Sequence, residues 1–506
     1  MDSQHAYADL LHYSREIAVL GSCASLLGWD ERTYMPHHGS AHRGEQMALL
    51  ARLTHEKLTA PVVGELLSAV EGSELVRDPD SDAAVNVREI RRVYDRAVKL
   101  PQRLVEELAR VGTRAQQVWQ EARKTDDFEA FRPWLEKIVA LKREEAQAVG
   151  YKGVPYDALL DEYEPGADTA EITRVFAALR KELTPLVQAI AASGRKAPRE
   201  ILEREYPVER QQAFGRAAGA AIGFDFEAGR LDVTTHPFCT EIGPGDCRIT
   251  TRYNPRFFNE SFFGILHESG HAIYEQGLPA EHHGTPRGGH ASLGIHESQS
   301  RLWENQVGRG RAFWEHFFPK ARETFPEALR DVKLDDFYFA INDVRPSFIR
   351  VEADEATYNM HIILRFELEQ GLISGDLKPA DVPEAWDEKF RQSLGLTPPT
   401  RREGCLQDIH WSFGGIGYFP TYTLGNLYSA QFMEAARRDL GDLDGAFRRG
   451  EFGRLKGWLN EKIHRQGQRW RAATLCEKTT GRPLSHQPLL NYLRGKYAPL
   501  YGLSAA

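Results

Sequence analysis

Apolar residues recur at intervals of three and four positions through most of the chain, which is the spacing of one face of an α-helix. Two such stripes are Val87, Ile90, Tyr94 and Ala97, and Leu104, Leu108 and Val111. The polar stretch EGSELVRDPDSDAA at 71–84 interrupts the pattern and predicts a loop between helices. The chain is therefore predicted to be mainly helical.

Residues 231–253, LDVTTHPFCTEIGPGDCRITTRY, depart from helical spacing. They are rich in Thr, Ile, Val and aromatic residues, which favour strands, and a Gly-Pro-Gly turn divides them. This pattern predicts a β-hairpin or a pair of short strands.

Two later segments have contrasting patterns. IRVEADEATYNMHIILRFELEQG, at 349–371, predicts a long helix that ends at Gly371. GCLQDIHWSFGGIGYFPTYTLG, at 404–425, has closely spaced glycines among polar and aromatic residues, which predicts a loop that approaches a ligand closely. We find no internal repeat and no long linker, so one domain spanning 1–506 is preferred over independent domains.

Charge and composition exclude some classes of function. The chain is 42% hydrophobic and 27% charged, with a formal net charge of −8. Broad nucleic-acid binding needs a basic surface that displaces counterions from phosphates, so this balance argues against it.

The first residues lack a basic leader followed by an apolar core, and no stretch reaches the roughly 18 apolar residues of a membrane-spanning helix. The five cysteines, Cys23, Cys239, Cys247, Cys405 and Cys476, contain no CxxC pair. Neither a disulfide framework nor a cysteine-based zinc site is predicted. A cytoplasmic location is expected.

The most informative stretch is FNESFFGILHESGHAIYEQG, at 258–277. It predicts a helix that Asn259 or Ser261 caps and that Gly277 ends. His267 and His271 are one turn apart, so they project from one face and can bind one metal ion.

Glu268 is too close to His267 to share that ion easily. It can instead stand beside a water held by the metal, as the general base does in HExxH peptidases. Two histidines four apart also occur by chance, so the hypothesis depends on a third protein ligand. The metzincin pattern is absent, since its Gly and His positions hold Tyr274 and Gly277.

The remaining candidates for the third ligand are the acidic residues and histidines that follow: Glu275, Glu281, His282, His283, His290, His296 and Glu297. Glu275 would crowd the same helix, and residues 281–290 lie in a glycine-rich segment that holds ligands poorly. Glu297 lies on a new helical run, HESQSRLWENQVGR at 296–309. We therefore prefer Glu297, with His290 as the alternative. The residue one turn after Glu297 is Arg301, and the groups that orient the two imidazoles are left open.

HESGH followed by HESQ resembles the thermostable, or Taq-type, family of zinc metallocarboxypeptidases. Further motifs of that family appear in order along the chain: LLGWDERTYMP at 26–36, DCRIT at 246–250, IRVEAD at 349–354 and GCLQDIHW at 404–411. The resemblance therefore covers nearly the whole chain.

The resemblance implies a mainly α, two-lobed zincin-like peptidase with a deep cleft, related in fold to neurolysin and angiotensin-converting enzyme. It also implies removal of single residues from peptide carboxyl termini, a zinc cofactor that cobalt can replace, and a homodimer. The amino-terminal helical region, about 1–110, is a candidate cover for the cleft.

Other motif residues become candidates for substrate binding. Asp246, Arg248 and Thr250 alternate, so they share one face of a strand, where an Asp-Arg pair is the simplest interpretation. The resemblance makes Arg248 a contact for the distal end of a short peptide. His236, in HPF, is a candidate contact for the substrate backbone, and a packed histidine is the alternative.

A carboxypeptidase needs a fixed cation for the terminal carboxylate of its substrate, and guanidinium binds a carboxylate through two parallel hydrogen bonds. Arg350 is the preferred candidate, with Arg401 and Arg402 as alternatives. An ion pair between Arg350 and Asp354, one turn apart on the predicted helix, is the purely structural interpretation.

His410, Tyr418 and Tyr422 are candidate donors to the oxyanion that forms during hydrolysis. The HESGH helix together with the family resemblance thus predicts a zinc carboxypeptidase with His267, His271 and Glu297 as ligands and Glu268 as general base. A zinc oligopeptidase or dipeptidyl carboxypeptidase on the same scaffold is the nearest alternative, and a non-enzymatic helical binding protein is a third.

Overall fold

The computed structural model describes residues 2–503, which form two compact units. The first unit contains the chain up to Val98, Pro198–Ile341 and Phe432–Pro483. The second contains Lys99–Ala197, Asn342–Gln431 and the chain from Leu484 onward. Each unit is therefore assembled from segments that are distant in sequence.

Most of the described residues are helical, as predicted. In chain order, helices α1 to α21 are Ser3–Thr33, Ser40–Leu58, Pro61–Val70, Asp82–Lys99, Gln102–Thr125, Phe128–Val149, Pro155–Leu160, Thr169–Ala192, Val208–Ile222, Phe258–Gly277, Leu293–Arg301, Arg311–Thr324, Pro326–Leu329, Leu334–Ile341, Tyr358–Ser374, Val382–Leu394, Pro420–Leu440, Leu443–Arg448, Gly453–Lys462, Ala472–Thr480 and Gln487–Tyr501. None of them is long and apolar enough to cross a lipid bilayer.

The apolar stripes in the sequence lie on the packed faces of these helices. Val87 on α4 is buried, and Ile90 and Tyr94 pack against the cluster to which it belongs. On α5, Leu104 and Val111 are fully or almost fully buried. The predicted loop at 71–84 contains one short 3-10 turn before α4 begins.

A three-stranded sheet lies directly before α10. Its strands are β1 (Gly229–Val233), β2 (Cys239–Gly243) and β3 (Asp246–Thr251). β2 and β3 form the predicted antiparallel hairpin, while β1 pairs in parallel with the other edge of β3. The hairpin is confirmed, and β1 extends it into a sheet.

An aromatic core anchors α10 in the first unit. Phe258 and Phe262 of α10 stack at a ring-centroid distance of 5.0 Å, and Phe262 also stacks on Phe214 of α9 at 5.3 Å. Phe258 packs edge-on against Trp314 of α12 at 6.0 Å. Burial of several large aromatic side chains holds α10 firmly.

The prediction of one long helix over 349–371 is wrong at both ends. Residues Arg350–Glu352 form a single 3-10 turn, and α15 begins only at Tyr358 and continues past Gly371 to Ser374. The physical reason is Asp354, whose carboxylate accepts hydrogen bonds from the main-chain N–H groups of Ala356 and Thr357. These bonds satisfy the free amides before α15, so no helix passes through IRVEAD.

The loop predicted over 404–425 is shorter than expected. Residues His410–Phe413 form a 3-10 turn, and α17 begins at Pro420, so Tyr422 lies on a helix. Gly417 adopts a φ of +96°, and its N–H donates to Glu369. A side chain at this position would be strained, which explains one glycine of the segment.

Candidate metal centre and substrate-binding residues

Helix α10 carries both histidines of HESGH on one face, as the sequence predicts. The helix runs over Phe258–Gly277, and Gly277 is its last residue. The predicted capping is wrong, since the residue before the helix is Phe257 and no side chain caps it. Ser261 lies inside the helix, where its hydroxyl donates to Gln211.

Helix α11 brings a carboxylate to the two imidazoles. The Oε2 atom of Glu297 lies 3.8 Å from Nε2 of His267 and 3.5 Å from Nε2 of His271. One ligand atom from each of the three residues lies within 4.8 Å of the others. The alternative ligand His290 does not join this group and lies beside Glu275 instead.

A glycine permits the close crossing of α10 and α11. A Cβ atom on Gly270 would lie 2.6 Å from the carbonyl oxygen of Gln299 and 2.6 Å from Cα of Ser300. Both of these atoms are main chain and have little freedom to move away. Gly270, inside the HESGH motif itself, therefore sets the distance at which Glu297 faces the histidines.

The remaining nitrogen of each imidazole has its own partner. Nδ1 of His267 donates to Glu304 Oε2 at 2.8 Å, and Nδ1 of His271 donates to the main-chain oxygen of His296 at 3.1 Å. These bonds fix the tautomers that leave both Nε2 atoms free to accept a metal. Glu304 lies in the π-helical segment Leu302–Gly308 and was not predicted as a partner of His267. Its position seven residues after Glu297, about two helical turns, could have identified it.

Arg301 bridges the two carboxylates behind the centre. Its Nε donates to Glu297 Oε1 at 2.6 Å, and its Nη1 donates to Glu304 Oε2 at 3.2 Å. The contact with Oε1 leaves Oε2 of Glu297 facing the imidazoles. Arg301, one turn after Glu297, thus orients this carboxylate through the oxygen that does not face the imidazoles.

The electrostatics of the centre place Glu297 and His271 in the forms that bind metal. Burial raises the pKa of Glu297, but Arg301 and the histidines outweigh it and hold that pKa well below its usual range. Burial lowers the pKa of His271 to about 3, so its ring is neutral at ordinary pH. An ionised carboxylate and a neutral imidazole are the forms that bind metal.

The donor set fits a divalent metal in this site. Two imidazole nitrogens and one carboxylate oxygen are the ligands of a well-known class of catalytic zinc sites, which keep one further position open. Zinc is borderline soft and other late first-row metals suit the same ligands.

Glu268 lies next to His267 on α10 and is 7% exposed. Burial raises its pKa to about 7, and Glu297 and Glu304 add to the increase, while His267 opposes it. A carboxyl group with a pKa near neutrality can both accept and release a proton during a reaction.

The second unit brings four predicted residues together. Arg350 lies 5.1 Å from the ring centroid of Tyr422, and His410 Nε2 is 3.2 Å from the Tyr422 hydroxyl. The ring of Tyr418 is 5.2 Å from that of His410 and 5.4 Å from that of Tyr422. One cation, one imidazole and two phenols thus share a small region around the start of α17.

The structural interpretation of the sequence predicted an ion pair between Arg350 and Asp354. Arg350 does not form this pair. It is buried, and its Nε and Nη2 each lie 2.8 Å from Asp408 Oδ1, while its Nη1 donates to Tyr358 at 2.9 Å. Arg365 holds the other oxygen of Asp408. Asp408 was not predicted as the partner of Arg350, because it lies 58 positions from Arg350, in the GCLQDIHW motif.

The two alternative cations are placed differently from Arg350. Arg401 is paired with Asp387 at 2.7 Å and is half-buried. Arg402 is exposed, and its main-chain N–H donates to Asp126. Of the three arginines, Arg350 is the one that lies among the other predicted residues.

Arg248 lies on β3 and forms the Asp-Arg pair that the alternation predicts, with bonds of 2.8 and 2.7 Å to Asp246. Its guanidinium also stacks 4.3 Å from the ring of Trp29, in LLGWDERTYMP. His236 lies in the exposed segment between β1 and β2. It is therefore beside the sheet and not on a strand.

Comparison with known proteins gives a consistent result. Residues 9–497 match the family described as carboxypeptidase Taq (M32) metallopeptidase. The thermostable carboxypeptidase 1 of Thermus thermophilus is 53% identical over 99% of this chain and 100% of its own length. Carboxypeptidase 1 of Bacillus subtilis is 39% identical over 97% of this chain and 96% of its own.

Solved structures extend the similarity to the fold. The crystal structure of an M32 carboxypeptidase from Deinococcus radiodurans is 42% identical and has a TM-score of 0.95. The match covers 99% of this chain and 100% of that chain.

Proposed function

The chain belongs to the carboxypeptidase Taq (M32) family of metallopeptidases and is a metallocarboxypeptidase, and on this premise we propose that His267, His271 and Glu297 hold a catalytic zinc ion. The observation that carries the proposal is the convergence of these three side chains within 4.8 Å, with Glu268 next to one of them. Cobalt is the expected substitute, since the same ligands suit it.

The metal, when bound, polarises the scissile carbonyl and lowers the pKa of the attacking water. Glu268 is the general base that takes a proton from this water. The same carboxyl group then delivers the proton to the leaving amino group, so no net proton is lost in the cycle.

Arg350 is the proposed cation for the terminal carboxylate of the substrate. Two of its nitrogens are committed to Asp408, which fixes the orientation of the guanidinium and keeps it charged. The Asp408 carboxylate raises the pKa of Arg350 well above its ordinary value, although burial alone would lower it. A fixed cation gives the enzyme a preference for a free carboxyl terminus.

His410 and Tyr418 are the proposed donors to the developing oxyanion, and Tyr422 assists in substrate binding. Burial lowers the pKa of His410 to about 3, so it acts as a neutral donor at working pH. Its hydrogen-bonding contact with Tyr422 fixes the ring. A well-placed donor of this kind contributes about 3 to 4 kcal/mol to transition-state stabilisation.

Arg248 and His236 are proposed to contact the substrate further from the scissile bond. Arg248 is held by Asp246 and Trp29, which gives a rigid cation suited to the amino-terminal side of a short peptide. His236 is exposed and can donate to a peptide carbonyl.

The family resemblance supports a homodimer in the cytoplasm that removes single residues with broad specificity, and an amino-terminal region, about 1–110, that covers the substrate. The oligopeptidase and dipeptidyl carboxypeptidase alternatives receive no support from the relatives, which are named carboxypeptidases. The non-enzymatic alternative is excluded by the same family membership.

The test of this function uses one short peptide as the free acid and as the carboxyl-terminal amide, each with and without a zinc chelator. Mass spectrometry should show a ladder of single-residue losses from the free acid alone, and the chelator should abolish it. Equal cleavage of both forms at internal bonds would contradict the roles given to Arg350 and the metal.

A further inference from the structure

A second group of metal-binding side chains lies in the first unit. Glu275 Oε1 is 3.2 Å from Nδ1 of His290 and 2.7 Å from Nε2 of His296. One ligand atom from each residue lies within 4.8 Å of the others, as in the catalytic group. The proposed mechanism uses none of these three side chains.

The three residues come from different parts of the local fold. Glu275 is one turn after His271 on α10, His296 is on α11, and His290 is in the connection between these helices. The crossing of α10 and α11 that assembles the catalytic ligands therefore assembles this group too. Two of its members, Glu275 and His296, lie on the same two helices as the catalytic group.

The group faces a cavity of about 660 Å³ in the first unit, which gives an ion a route to it. The same cavity is lined by Glu241 and by the thiols of Cys239 and Cys247, whose sulfur atoms are 3.6 Å apart. His290 is 40% exposed, whereas Glu275 is 8% exposed. An incoming ion would thus meet a half-exposed imidazole first and a buried carboxylate behind it.

Charge in the cavity favours a cation. Glu275 and Glu241 both line it, and their mutual repulsion adds to burial in raising the pKa of Glu241 to about 7. The titratable groups on the surrounding elements include Glu89 on α4, His283 in the connection and His296 on α11. A divalent ion would relieve the repulsion between the carboxylates of Glu275 and Glu241.

We propose that Glu275, His290 and His296 form a second, non-catalytic site for a divalent transition metal such as Zn²⁺ or Co²⁺. Metal distances of about 2.0 to 2.2 Å place tetrahedral ligand atoms about 3.3 Å apart. The contact of Glu275 with His290 already meets this spacing. The contact with His296 must open by about 0.6 Å, which a side-chain rotation can supply.

The second site is joined to the catalytic one through His296. Its imidazole stacks on that of His271 with a centroid distance of 4.5 Å, and its main-chain oxygen accepts the Nδ1–H of His271. A metal bound to the His296 side chain would fix the residue that orients a catalytic ligand.

The test measures metal stoichiometry, so it does not depend on activity. Metal-stripped full-length protein is titrated with Co²⁺ by calorimetry, and bound metal is counted after gel filtration. Wild-type protein should bind two equivalents, and His290→Ala and Glu275→Gln should each bind one. His283→Ala, a neighbouring histidine outside the group, is the matched control and should bind two.

Glu297→Ala should also bind one equivalent, and Glu297→Ala combined with His290→Ala should bind none. A wild-type stoichiometry of one that Glu297→Ala abolishes would overturn the second site and leave the catalytic centre intact. Two equivalents retained by both His290→Ala and Glu275→Gln would also overturn it. Circular dichroism establishes that each variant is folded. His290→Ala is the milder of the two substitutions, because the His290 side chain is half-exposed.

The cobalt spectrum identifies the ligands. Imidazole and carboxylate ligands give ligand-field bands without an intense sulfur-to-cobalt charge-transfer band. Such a charge-transfer band on the second equivalent would assign it to Cys239 and Cys247 and would overturn the assignment to Glu275, His290 and His296.

Discussion

Glu297 and Glu304 both contact Arg301, yet they face different atoms of the metal centre. Glu297 presents Oε2 to the Nε2 atoms of His267 and His271, whereas Glu304 accepts from Nδ1 of His267. A carboxylate that faces Nε2 can share the ion, and one that faces Nδ1 can only orient the ring. The atom that each residue contacts therefore distinguishes Glu297, the proposed ligand, from Glu304, the proposed positioning residue.

At the residue scale, the first prediction concerns Glu268→Gln. The amide keeps the shape of the side chain but cannot accept a proton, so kcat should fall by a factor of about 10² to 10⁴. Metal content should stay at the wild-type level, because Glu268 is not a ligand. The exposed Glu281→Gln is the control, and full activity in Glu268→Gln would remove this residue from the mechanism.

A second residue-scale prediction concerns Glu304→Gln. The loss of charge makes the His267 imidazole a weaker donor to the metal, so zinc affinity should fall by about 10- to 100-fold. Competition with a chromophoric chelator measures this affinity. Glu323→Gln, an exposed position on α12, should keep the wild-type affinity. An unchanged zinc affinity in Glu304→Gln would show that His267 needs no partner at Nδ1.

The proposed ligands could be identified from the sequence because they depend on local spacing. His267 and His271 lie one turn apart on one helix, and a carboxylate on the next helical run was the best remaining choice. Asp408, which holds Arg350, could not be predicted, because nothing in either local pattern indicates a contact over 58 positions. Local periodicity carries no information about which distant segments pack together.

At the element scale, the crossing of α10 and α11 is the feature that builds the centre. The main chain of α11 at Gln299 and Ser300 passes Gly270 so closely that a methyl group cannot fit. The sequence motif therefore contains a packing residue between its two ligands. Its glycine is explained by contact and not by helix propensity, since glycine destabilises a helix interior.

Gly270→Ala should separate the two helices and move Glu297 away from the histidines. We expect a stability loss of about 1 to 3 kcal/mol from overpacking, together with weaker zinc binding. Urea unfolding and a chelator competition measure the two effects. Gly264→Ala, on the same helix, is the control, because its Cβ would meet only Thr251 Oγ1 at 3.5 Å.

Gly264→Ala should leave the stability of the protein unchanged or increase it, since alanine is more favourable than glycine in a helix by about 1 kcal/mol. Equal stability of Gly270→Ala and Gly264→Ala would show that the close crossing is not required.

Element prediction from the sequence succeeded where one pattern dominated and failed where side chains competed for main-chain bonds. The helix over 258–277 and the hairpin within 231–253 have clear helical or strand patterns and are confirmed. The helix over 349–371 failed at its start because Asp354 binds the amides of Ala356 and Thr357. Such side-chain bonds are invisible to hydrophobic periodicity.

At the scale of the whole molecule, each unit draws on three distant segments of chain. Burial of histidines in the two units has a shared consequence for acid stability. Burial lowers the pKa of His410 and of His464 to about 3, and it lowers the pKa of His361 well below its ordinary value. The folded state therefore holds these three histidines neutral, as it does His271.

The sign of the effect follows from proton binding. Below about pH 6.5 the unfolded chain protonates His464, while the folded state does not do so until about pH 3. The stability from this group is complete above pH 6.5 and is lost as the pH falls towards 3. His464→Gln should therefore lose stability less steeply on acidification.

The difference in slope should approach about 1.4 kcal/mol per pH unit between pH 6 and pH 4, which is the value for one proton. Urea unfolding of wild-type and variant proteins across this range measures it. His38→Gln, at an exposed position, is the control variant. Identical slopes for His464→Gln and wild-type protein would contradict a neutral, buried His464.

The central claim is that His267, His271 and Glu297 hold the metal on which peptide hydrolysis depends. The most direct measurement titrates metal-stripped protein with zinc and follows bound metal and hydrolysis of a free-acid peptide together. Activity should rise with the tightest zinc equivalent, and Glu297→Gln should lose both that equivalent and the activity. Full hydrolysis before zinc is added, or a Glu297→Gln protein with wild-type zinc affinity and activity, would contradict the claim.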